Sequence, residues 1–440
     1  MNAEVRPMKT NAELALADIF AGAKRRLPGN DAVKAQRSGA FDDFMKSGLP
    51  HRRVEAWKYT DLRAIMRDAH PLAAPPSAEA KAKARSAGRA LAHLRSRRMV
   101  IVDGAFAADL SDLVDLEAGV AIRSMAEALT SGDALISAYL GKVAPRDDAS
   151  LTLNTALMGD GVVIHIAPGV TVERPIHLVF ISTSDKPAAV FERSLVVVEP
   201  RAHLTLLETY EGPDESQYQV NTALELIVGD AARVDHLKMI AEGRAALHVA
   251  TQLADIGQSA TFNDFCFTTG GAVVRNQLFV RFKGQGAVAD IRGVSLLAGR
   301  QHGDQTLVAD HVAPGCESRE TFKSVLDDEA RAVFQGKINV HPGAQQTNAR
   351  MMARALLLSS DAEADCKPEL EIFADDVQCG HGSTTGKLND EQKFYLMARG
   401  IPAREAEALL IQAFVGEVVE AIKNEGVKEA LMNATLSWLR

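Results

Sequence analysis

The sequence predicts a mainly β protein, a parallel β-helix flanked by N-terminal and C-terminal α-helical regions. Between about residue 150 and residue 385 the chain consists of short β-rich segments, such as ALELIV and QLFVRF, separated by turns of small residues. These turns recur at a nearly constant interval. The chain on either side is rich in Ala, Leu, Lys, Arg and Glu, which favour helices.

The interval between turns is the observation that favours a β-helix. Subtracting the positions of successive turn residues gives 31, 29, 28, 27, 31 and 28 for Gly169, Pro200, Gly229, Gly257, Gly284, Gly315 and Gly343. About two strands fit around each turn. Stacked coils of a parallel β-helix, or another solenoid, produce such a period.

A β-sandwich is the competing all-β architecture, and it also spaces its turns evenly. Sandwiches usually connect strands by two-residue Asn-Gly or Asp-Gly hairpins, which are scarce between residues 150 and 385. The β-helix is therefore the favoured interpretation. Because a β-helix has open ends, its last coil must be capped or paired, and that coil is a candidate interface.

Three domains follow from this division: a mostly helical region at residues 1–148, a β-helix core at 149–387 and a helical domain at 388–440. A strand is expected at 98–104 within the first region. Trp57 is one of two tryptophans in an aromatic-poor chain, and we interpret it as a packing anchor rather than as part of a binding cage.

The C-terminal domain shows clear helix boundaries. Asn389 can cap a helix that stops at Gly400, and Pro402 opens the next one. An apolar stripe follows at Ala406, Leu409, Leu410, Ala413, Phe414 and Val418, and a final helix spans about 427–439. A small helical module can bury only part of this stripe, so a partner helix is a possible neighbour.

Composition bounds the classes of partner. The chain has 440 residues, of which 47% are hydrophobic and 24% charged, and a formal net charge of −8. That charge argues against nucleic-acid binding. No apolar stretch approaches the ~20 residues needed to span a bilayer, and the N-terminus lacks the apolar run of a signal peptide. We therefore expect a cytoplasmic protein that binds neither nucleic acid nor membrane, with reduced thiols.

Reactive residues concentrate at Cys379 and His381, which flank Gly380 where a sheet-like stretch is expected to give way to a helix. A thiolate and an imidazole offer soft and borderline metal ligands. Cys266, Cys316 and Cys366 form no C-x-x-C pair, so a metal would need ligands from afar or from another subunit. The alternative is an inert buried thiol beside a hydrogen-bonded turn histidine.

Two other motifs carry less weight. GSTTGK has three residues between Gly382 and Gly386, where a phosphate-binding P-loop needs four, so we reject an ATP site. The residue types of a two-His-one-carboxylate iron site occur in His302, Asp304, Asp310 and His311. The same types populate polar turns at a solenoid edge, which is the favoured interpretation. Cys266 and Cys316 are expected to be packing thiols.

Four stretches resemble the SufB/SufD family of iron–sulfur cluster assembly proteins. They are EAWKYTDLR near the N-terminus, VLDDEARAVFQGKINV at 325–340, ALLLSSDAEADCKPELEIFADDVQCGHG at 355–382 and FYLMARGI at 394–401. These stretches resemble the SufD-like branch of the family more than the SufB-like branch. The resemblance is strongest after residue 300 and weak between 60 and 150. It implies that the β-helix is right-handed.

The resemblance implies a non-catalytic scaffold subunit of a SufBCD-type complex. Such a subunit pairs with a SufB-like paralogue through the terminal coils and docks a SufC-like ATPase on its C-terminal helices. His381 would then help hold a transient iron–sulfur cluster at the subunit interface, with Cys379 as the accompanying thiol and no permanently bound cofactor. We place the dimer interface at Ile372 and Phe373, and the ATPase dock at Leu409, Leu410, Phe414 and Val418. The isolated chain is expected to form a homodimer.

Two alternatives from other classes stay open. One is a SufB-like or homodimeric cluster scaffold that acts without a paralogue. The other is a carbohydrate-active β-helix enzyme that uses acidic residues along one sheet. Such enzymes are usually secreted and expose aromatic platforms for sugars, whereas this chain has only 5% aromatic residues.

Overall fold

The structure is a computed structural model that describes residues 8–143 and 147–440. Its helices are α1 (Asn11–Ala23), α2 (Asp31–Ser47), α3 (Leu62–Ile65), α4 (Ala78–Ala84), α5 (Met125–Ser131), α6 (Ala134–Tyr139), α7 (Ala149–Leu157), α8 (Asp390–Ala398), α9 (Ala403–Val419) and α10 (Glu425–Trp438). No described helix combines the length and the apolar character needed to cross a membrane.

The strands are short and regular, mostly of 8 to 11 residues in the core. They are β1 (Arg97–Val102), β2 (Ala105–Phe106), β3 (Val120–Ser124), β4 (Val162–Ile166), β5 (Ile176–Ile181), β6 (Ala188–Val198), β7 (His203–Glu211), β8 (Tyr218–Val228), β9 (Arg233–Ala241), β10 (Leu247–Ile256), β11 (Thr261–Thr268), β12 (Val273–Phe282), β13 (Val288–Leu297), β14 (His302–His311), β15 (Glu317–Leu326), β16 (Arg331–Val340), β17 (Asn348–Leu357), β18 (Glu363–Ile372) and β19 (Gln378–Gly386).

These strands form two sheets that face each other, as the predicted parallel β-helix requires. Sheet 1 has the order β2-β1-β5-β7-β9-β11-β13-β15-β17-β19, and sheet 2 has the order β3-β4-β6-β8-β10-β12-β14-β16-β18. Every pair from β4 and β5 onward is parallel, while β1 with β2 and β3 with β4 are antiparallel. Each coil contributes one strand to each sheet, giving eight coils from β4–β5 to β18–β19. The predicted fold class is confirmed.

The space between the two sheets holds the main hydrophobic core. It runs without a break from Met99 on β1 to Ala374 after β18 and consists largely of Val, Ile, Leu, Ala and Phe. The outer faces of the sheets are covered by different helices. Helices α1, α2 and α7 pack against sheet 2 near β6 and β10, whereas α9 and α10 pack against sheet 1 from β7 to β17.

The strands of both sheets occur on either side of the boundary expected at residue 149. The expected strand at 98–104 is present as β1, which pairs with β5 in sheet 1. β3 also precedes the boundary and pairs with β4 in sheet 2. Residues 149–157 form helix α7, which precedes the first complete coil.

The turn residues that revealed the period all follow strands of sheet 2 and stack on one another. The amide of Gly229 donates to the carbonyl of Val198, and the amide of Gly257 donates to that of Val228. The approach of backbones is closest at Gly284, where an added Cβ would lie 1.9 Å from the backbone nitrogen of Gln258. Glycine is needed there because a neighbouring backbone occupies the place of a side chain.

We expect Gly284→Ala to lower the free energy of unfolding by about 1–3 kcal/mol, because the added methyl must displace the stacked turn. Gly343→Ala is the matched control. An added Cβ at Gly343 would meet no atom closer than 3.9 Å, so that variant should stay close to the parent chain. Urea unfolding of both proteins measures the difference. Equal stability of the two variants would contradict the stacked-turn explanation.

Candidate functional site

The β-helix ends at an uncovered coil formed by β18 and β19. Each of these strands bonds to a single neighbour, β18 to β16 and β19 to β17. Neither strand contains a buried residue, whereas β16, one coil earlier, is mostly buried. The last coil therefore presents two free strand edges and the open end of the interior core, which is the arrangement that strand addition exploits.

Cys379 and His381 both lie on β19 and project towards the interior side of sheet 1. Their register partners on β17 are Ala349 and Met351, which are buried in the interior core. Residues two apart on a strand share a face, so the thiol and the imidazole are neighbours. Cys379 is half-buried against the core, while His381 is exposed because no further coil lies above it.

Burial raises the pKa of the Cys379 thiol above its ordinary value. The free chain therefore holds this group as a thiol at neutral pH, and metal coordination would release its proton. Among the described residues no group of three or more His, Cys, Asp and Glu side chains is placed to hold a metal ion. Cys379 and His381 form at most part of a ligand set within this chain.

The position of these residues within a strand corrects the expected turn. β19 continues to Gly386, and α8 starts only at Asp390. The three glycines at 380, 382 and 386 weaken the local strand preference, but the hydrogen-bonded ladder to β17 decides the conformation. Because glycine has no side chain, these three residues leave the outer face of β19 with few side chains.

Ile372 and Phe373 lie at the turn that joins the two terminal strands. Ile372 aligns with the buried Val340 one coil earlier but is itself 41% exposed, and Phe373 is 64% exposed. Ala374 follows them and is buried in the core. Two large apolar side chains thus stand beside the open end, where the predicted interface requires them, and the pairing itself stays a prediction.

The other cysteines are distributed along the coils. Cys266 and Cys316 are buried in the interior, and burial raises the pKa of Cys266 to about 11. Both thus have the surroundings expected of packing thiols. Cys366 lies half-buried on β18 in the second sheet, and burial raises its pKa as well.

The two-His-one-carboxylate residues do not converge on one point. His302 contacts the hydroxyl of Thr60 at 2.9 Å, and Asp304 pairs with Arg275. Asp310 contacts His341 at 2.7 Å on the surface, and the buried His311 contacts Ser318 at 3.1 Å. His302 and Asp304 share the hydroxyl of Thr60, while Asp310 and His311 have partners of their own, so the four side chains do not form one site.

Arg275 explains why EAWKYTDLR forms a structural unit. Its guanidinium lies 3.9 Å from the ring centroid of Trp57, and it donates to the carbonyl of Ala56 at 2.6 Å. Trp57 is only 1% exposed, so the predicted packing anchor is confirmed. Lys367 on the terminal strand β18 pairs with Glu55. The segment therefore binds the outer face of sheet 2 from β12 to β18.

The four residues predicted to form the ATPase dock differ in their exposure. Leu409 is 41% exposed, and Leu410 and Phe414 are half-buried, but Val418 is only 1% exposed. Val418 packs in the cluster that joins α9 and α10 to sheet 1. It is therefore corrected from a docking residue to a core residue, because this sheet covers that side of the helical stripe.

The exposed apolar surface lies mainly on α8, which contains no buried residue. Phe394, Tyr395 and Met397 expose 73%, 58% and 43% of their surfaces. Lys393 on α8 pairs with Glu407 on α9 and fixes the two helices to each other. The stretch FYLMARGI marked this helix in the sequence, but an apolar stripe alone did not show which side would stay uncovered.

Lys323 makes contacts with α9 that were not predicted from the sequence. Its ammonium group donates to Glu417 at 2.5 Å and to the carbonyl of Phe414 at 2.6 Å, and it lies 4.3 Å from the Phe414 ring. Arg354 contacts the same carboxylate at 3.3 Å. Desolvation lowers the pKa of Lys323, while the hydrogen bond to Glu417 and its negative charge oppose this shift. These contacts bind α9 to β15 and β17, close to the terminal coil.

Comparison with known proteins agrees with this architecture. The family model for the SufBD core domain of the SUF system for iron–sulfur cluster assembly matches residues 180–414. The model for the SufBD protein N-terminal region matches residues 10–178. The two matches meet close to the first complete coils, and together they account for most of the chain.

Similar proteins span nearly the whole length. The chain is 32% identical over 398 residues to an iron–sulfur cluster assembly SufBD family protein of Synechocystis, covering 88% of this chain and 87% of that protein. It is 30% identical over 396 residues to the iron–sulfur cluster assembly protein SufD of Escherichia coli, covering 89% and 90%. It is 29% identical over 322 residues to SufD of Bacillus subtilis, covering 72% and 73%. The chain belongs to the SufBD family of iron–sulfur cluster assembly proteins and is SufD-like within it.

Proposed function

We propose that this chain is a non-catalytic scaffold subunit that pairs with a SufB-like paralogue, docks a SufC-like ATPase and shares a nascent iron–sulfur cluster with the paralogue. The cluster is cargo, held transiently at the interface. The observation that carries the proposal is the uncovered last coil, on which Cys379 and His381 stand side by side at the open end of the core.

An incomplete ligand set supports the sharing of the cluster. Iron in such clusters is commonly bound by four protein ligands per cluster, and two donors on one strand cannot supply them. A second strand added beside β19 would bring further donors to the same end. The paralogue is the partner we favour, and a second copy of this chain would use the same edges when the paralogue is absent.

Pairing at this end has an apolar contribution as well as a ladder of backbone hydrogen bonds. Ile372 and Phe373 would lose exposed surface on contact with another chain. Burying such a side chain contributes about 1.5–3 kcal/mol. A charge placed there would oppose association, because it would be desolvated without a counterion.

The uncovered face of α8 and the neighbouring Leu409 support a separate docking surface for the ATPase. Helices that leave aromatic side chains exposed beside a packed core commonly bind another protein. α9 connects this surface to the terminal coil, since its residues Phe414 and Glu417 hold Lys323 on β15. Movement of the docked ATPase would thereby reach the strands that carry the cluster ligands.

We expect the two surfaces to be separable by charge. Phe373→Asp should lose the paralogue and keep the ATPase, whereas Leu409→Asp should lose the ATPase and keep the paralogue. Val114→Asp is the matched control, since Val114 is 72% exposed in a loop far along the chain from both surfaces. Co-purification with both partners measures the outcome. Retention of both partners by either interface variant would refute the corresponding surface.

A further inference from the structure

Two arginines stand directly opposite each other on the outer face of sheet 1. Arg319 on β15 aligns with Arg350 on β17, and the next position of the row is Gly380 on β19. Arg319 donates to two backbone carbonyls, at 2.7 and 2.8 Å. In the part of the chain that the structure describes, neither guanidinium forms an ion pair with a carboxylate.

The carboxylates around this row are engaged by other cations. Asp290 precedes Arg319 in the row and accepts two hydrogen bonds from Arg292, at 2.8 and 3.1 Å. Glu417 on α9 is held by Lys323 and Arg354. Like charges directly opposite each other on neighbouring strands are destabilising. An anion placed between Arg319 and Arg350 would remove that cost.

The arginines line a cleft of about 600 Å³ between the last strands of sheet 1 and α9. Met352 contributes apolar side-chain surface to it, whereas Val418 at its floor is buried. An added Cβ at Gly380 would meet no atom within 4 Å, so the cleft stays open across β19. This volume falls in the range of roughly 300–1,000 Å³ that is usual for small-molecule sites and is much larger than a single oxyanion requires.

The charge of the cleft is opposite to that of the whole chain. Four cationic residues line it, together with the exposed carboxylate of Glu417 and the buried carboxyl of Glu320: Arg319, Lys323, Arg350 and Arg354. Burial raises the pKa of Glu320 to about 8, so that carboxyl is mostly uncharged at neutral pH. A chain with a net charge of −8 thus concentrates positive charge at one cleft.

We propose that this cleft binds a phosphorylated small molecule, with one phosphate group held between Arg319 and Arg350 and the remainder lying along Met352. Guanidinium groups bind phosphate oxygens in pairs of parallel hydrogen bonds, which suits two stacked arginines. Cys379 and His381 also line this cleft, but their side chains project to the interior side of β19, whereas Gly380 continues the arginine row on the outer side. The phosphate site does not depend on the proposed cluster-sharing role of Cys379 and His381.

Calorimetric titration of the full chain with inorganic phosphate and with pyrophosphate, at low ionic strength, tests the proposal. Saturable binding of both anions is expected. Arg350→Gln should weaken it at least tenfold, and Gly380→Asp should do the same by placing a carboxylate in the open position. Arg300→Gln is the control, because Arg300 is 87% exposed on a distant turn, and it should bind like the parent chain.

Two results would overturn the proposal. The first is an absence of saturable binding, and the second is binding that neither Arg350→Gln nor Gly380→Asp weakens. The first result can be accompanied by weaker pairing of Arg350→Gln with the paralogue. In that case the arginines receive acidic side chains of a protein partner. Neither result bears on the maturation test of His381, so the two ideas fail separately.

Discussion

His381→Ala is expected to reduce iron–sulfur cluster maturation by roughly tenfold or more while the fold and the complex stay intact. The reason is positional. His381 is exposed at the open end of the core. Among the described residues its side chain has no hydrogen-bond partner, so its removal leaves no polar group unpaired. Maturation of a reporter iron–sulfur enzyme in cells that depend on this chain gives the measurement, with co-purification of the partners as the test of assembly.

Two further variants make the result specific. His341→Ala removes another surface histidine, one that pairs with Asp310, and should leave maturation unchanged. Cys379→Ser should have a milder effect than His381→Ala, because the half-buried thiol is the accompanying donor in the proposed site. Normal maturation with His381→Ala would restore the alternative in which this histidine is only a structural residue.

Asp304→Ala is expected to lower the free energy of unfolding by about 3–5 kcal/mol, the usual cost of removing one partner of a buried ion pair. Arg275 and Asp304 are both fully buried, and Asp304 also accepts hydrogen bonds from Thr60 and Thr306. Its loss leaves the Arg275 charge without a counterion beneath Trp57. Urea unfolding measures the stability, and limited proteolysis shows whether residues 51–60 are released.

The control for this variant is Asp214→Ala, which breaks an exposed ion pair with Arg244 at 3.5 Å. Surface pairs contribute about 0–1 kcal/mol, so little change is expected. A double variant, Arg275→Met with Asp304→Leu, should recover part of the loss because no unpaired charge remains. A loss no larger than that of Asp214→Ala would show that water reaches Arg275 and that the segment is not held by this pair.

The repeated coil was predictable because its period appears directly in the sequence. Each turn stacks on the one before it, which limits the interval and favours small residues, as Gly284 shows. The ends of the last helices were equally local. Asn389 caps α8 through the amide of Gln392, and Gly400 follows the helix with a φ of +89°, as predicted.

Features that depend on how the helices and sheets pack against one another were not predictable from the sequence. The stripe of α9 showed an apolar side but not that sheet 1 would bury Val418 while leaving Leu409 exposed. Arg319 and Arg350 are 31 residues apart by subtraction, but intervals in the repeat vary from 27 to 31. A shift of one residue moves a side chain to the other face, so only the observed register brings the two arginines together.

The binding of residues 55–60 across four coils has a consequence for the order of synthesis and folding. Coils of a solenoid contact mainly their neighbours and can form progressively as the chain leaves the ribosome. Ala56, however, contacts Arg275, 219 residues later, and Glu55 contacts Lys367, 312 residues later. At about 5–20 residues per second, the ribosome takes on the order of 10 to 60 s to deliver these partners. During that interval no guanidinium is available to stack on Trp57. The N-terminal segment therefore cannot complete its contacts with sheet 2 until the last strands of the β-helix have been synthesised.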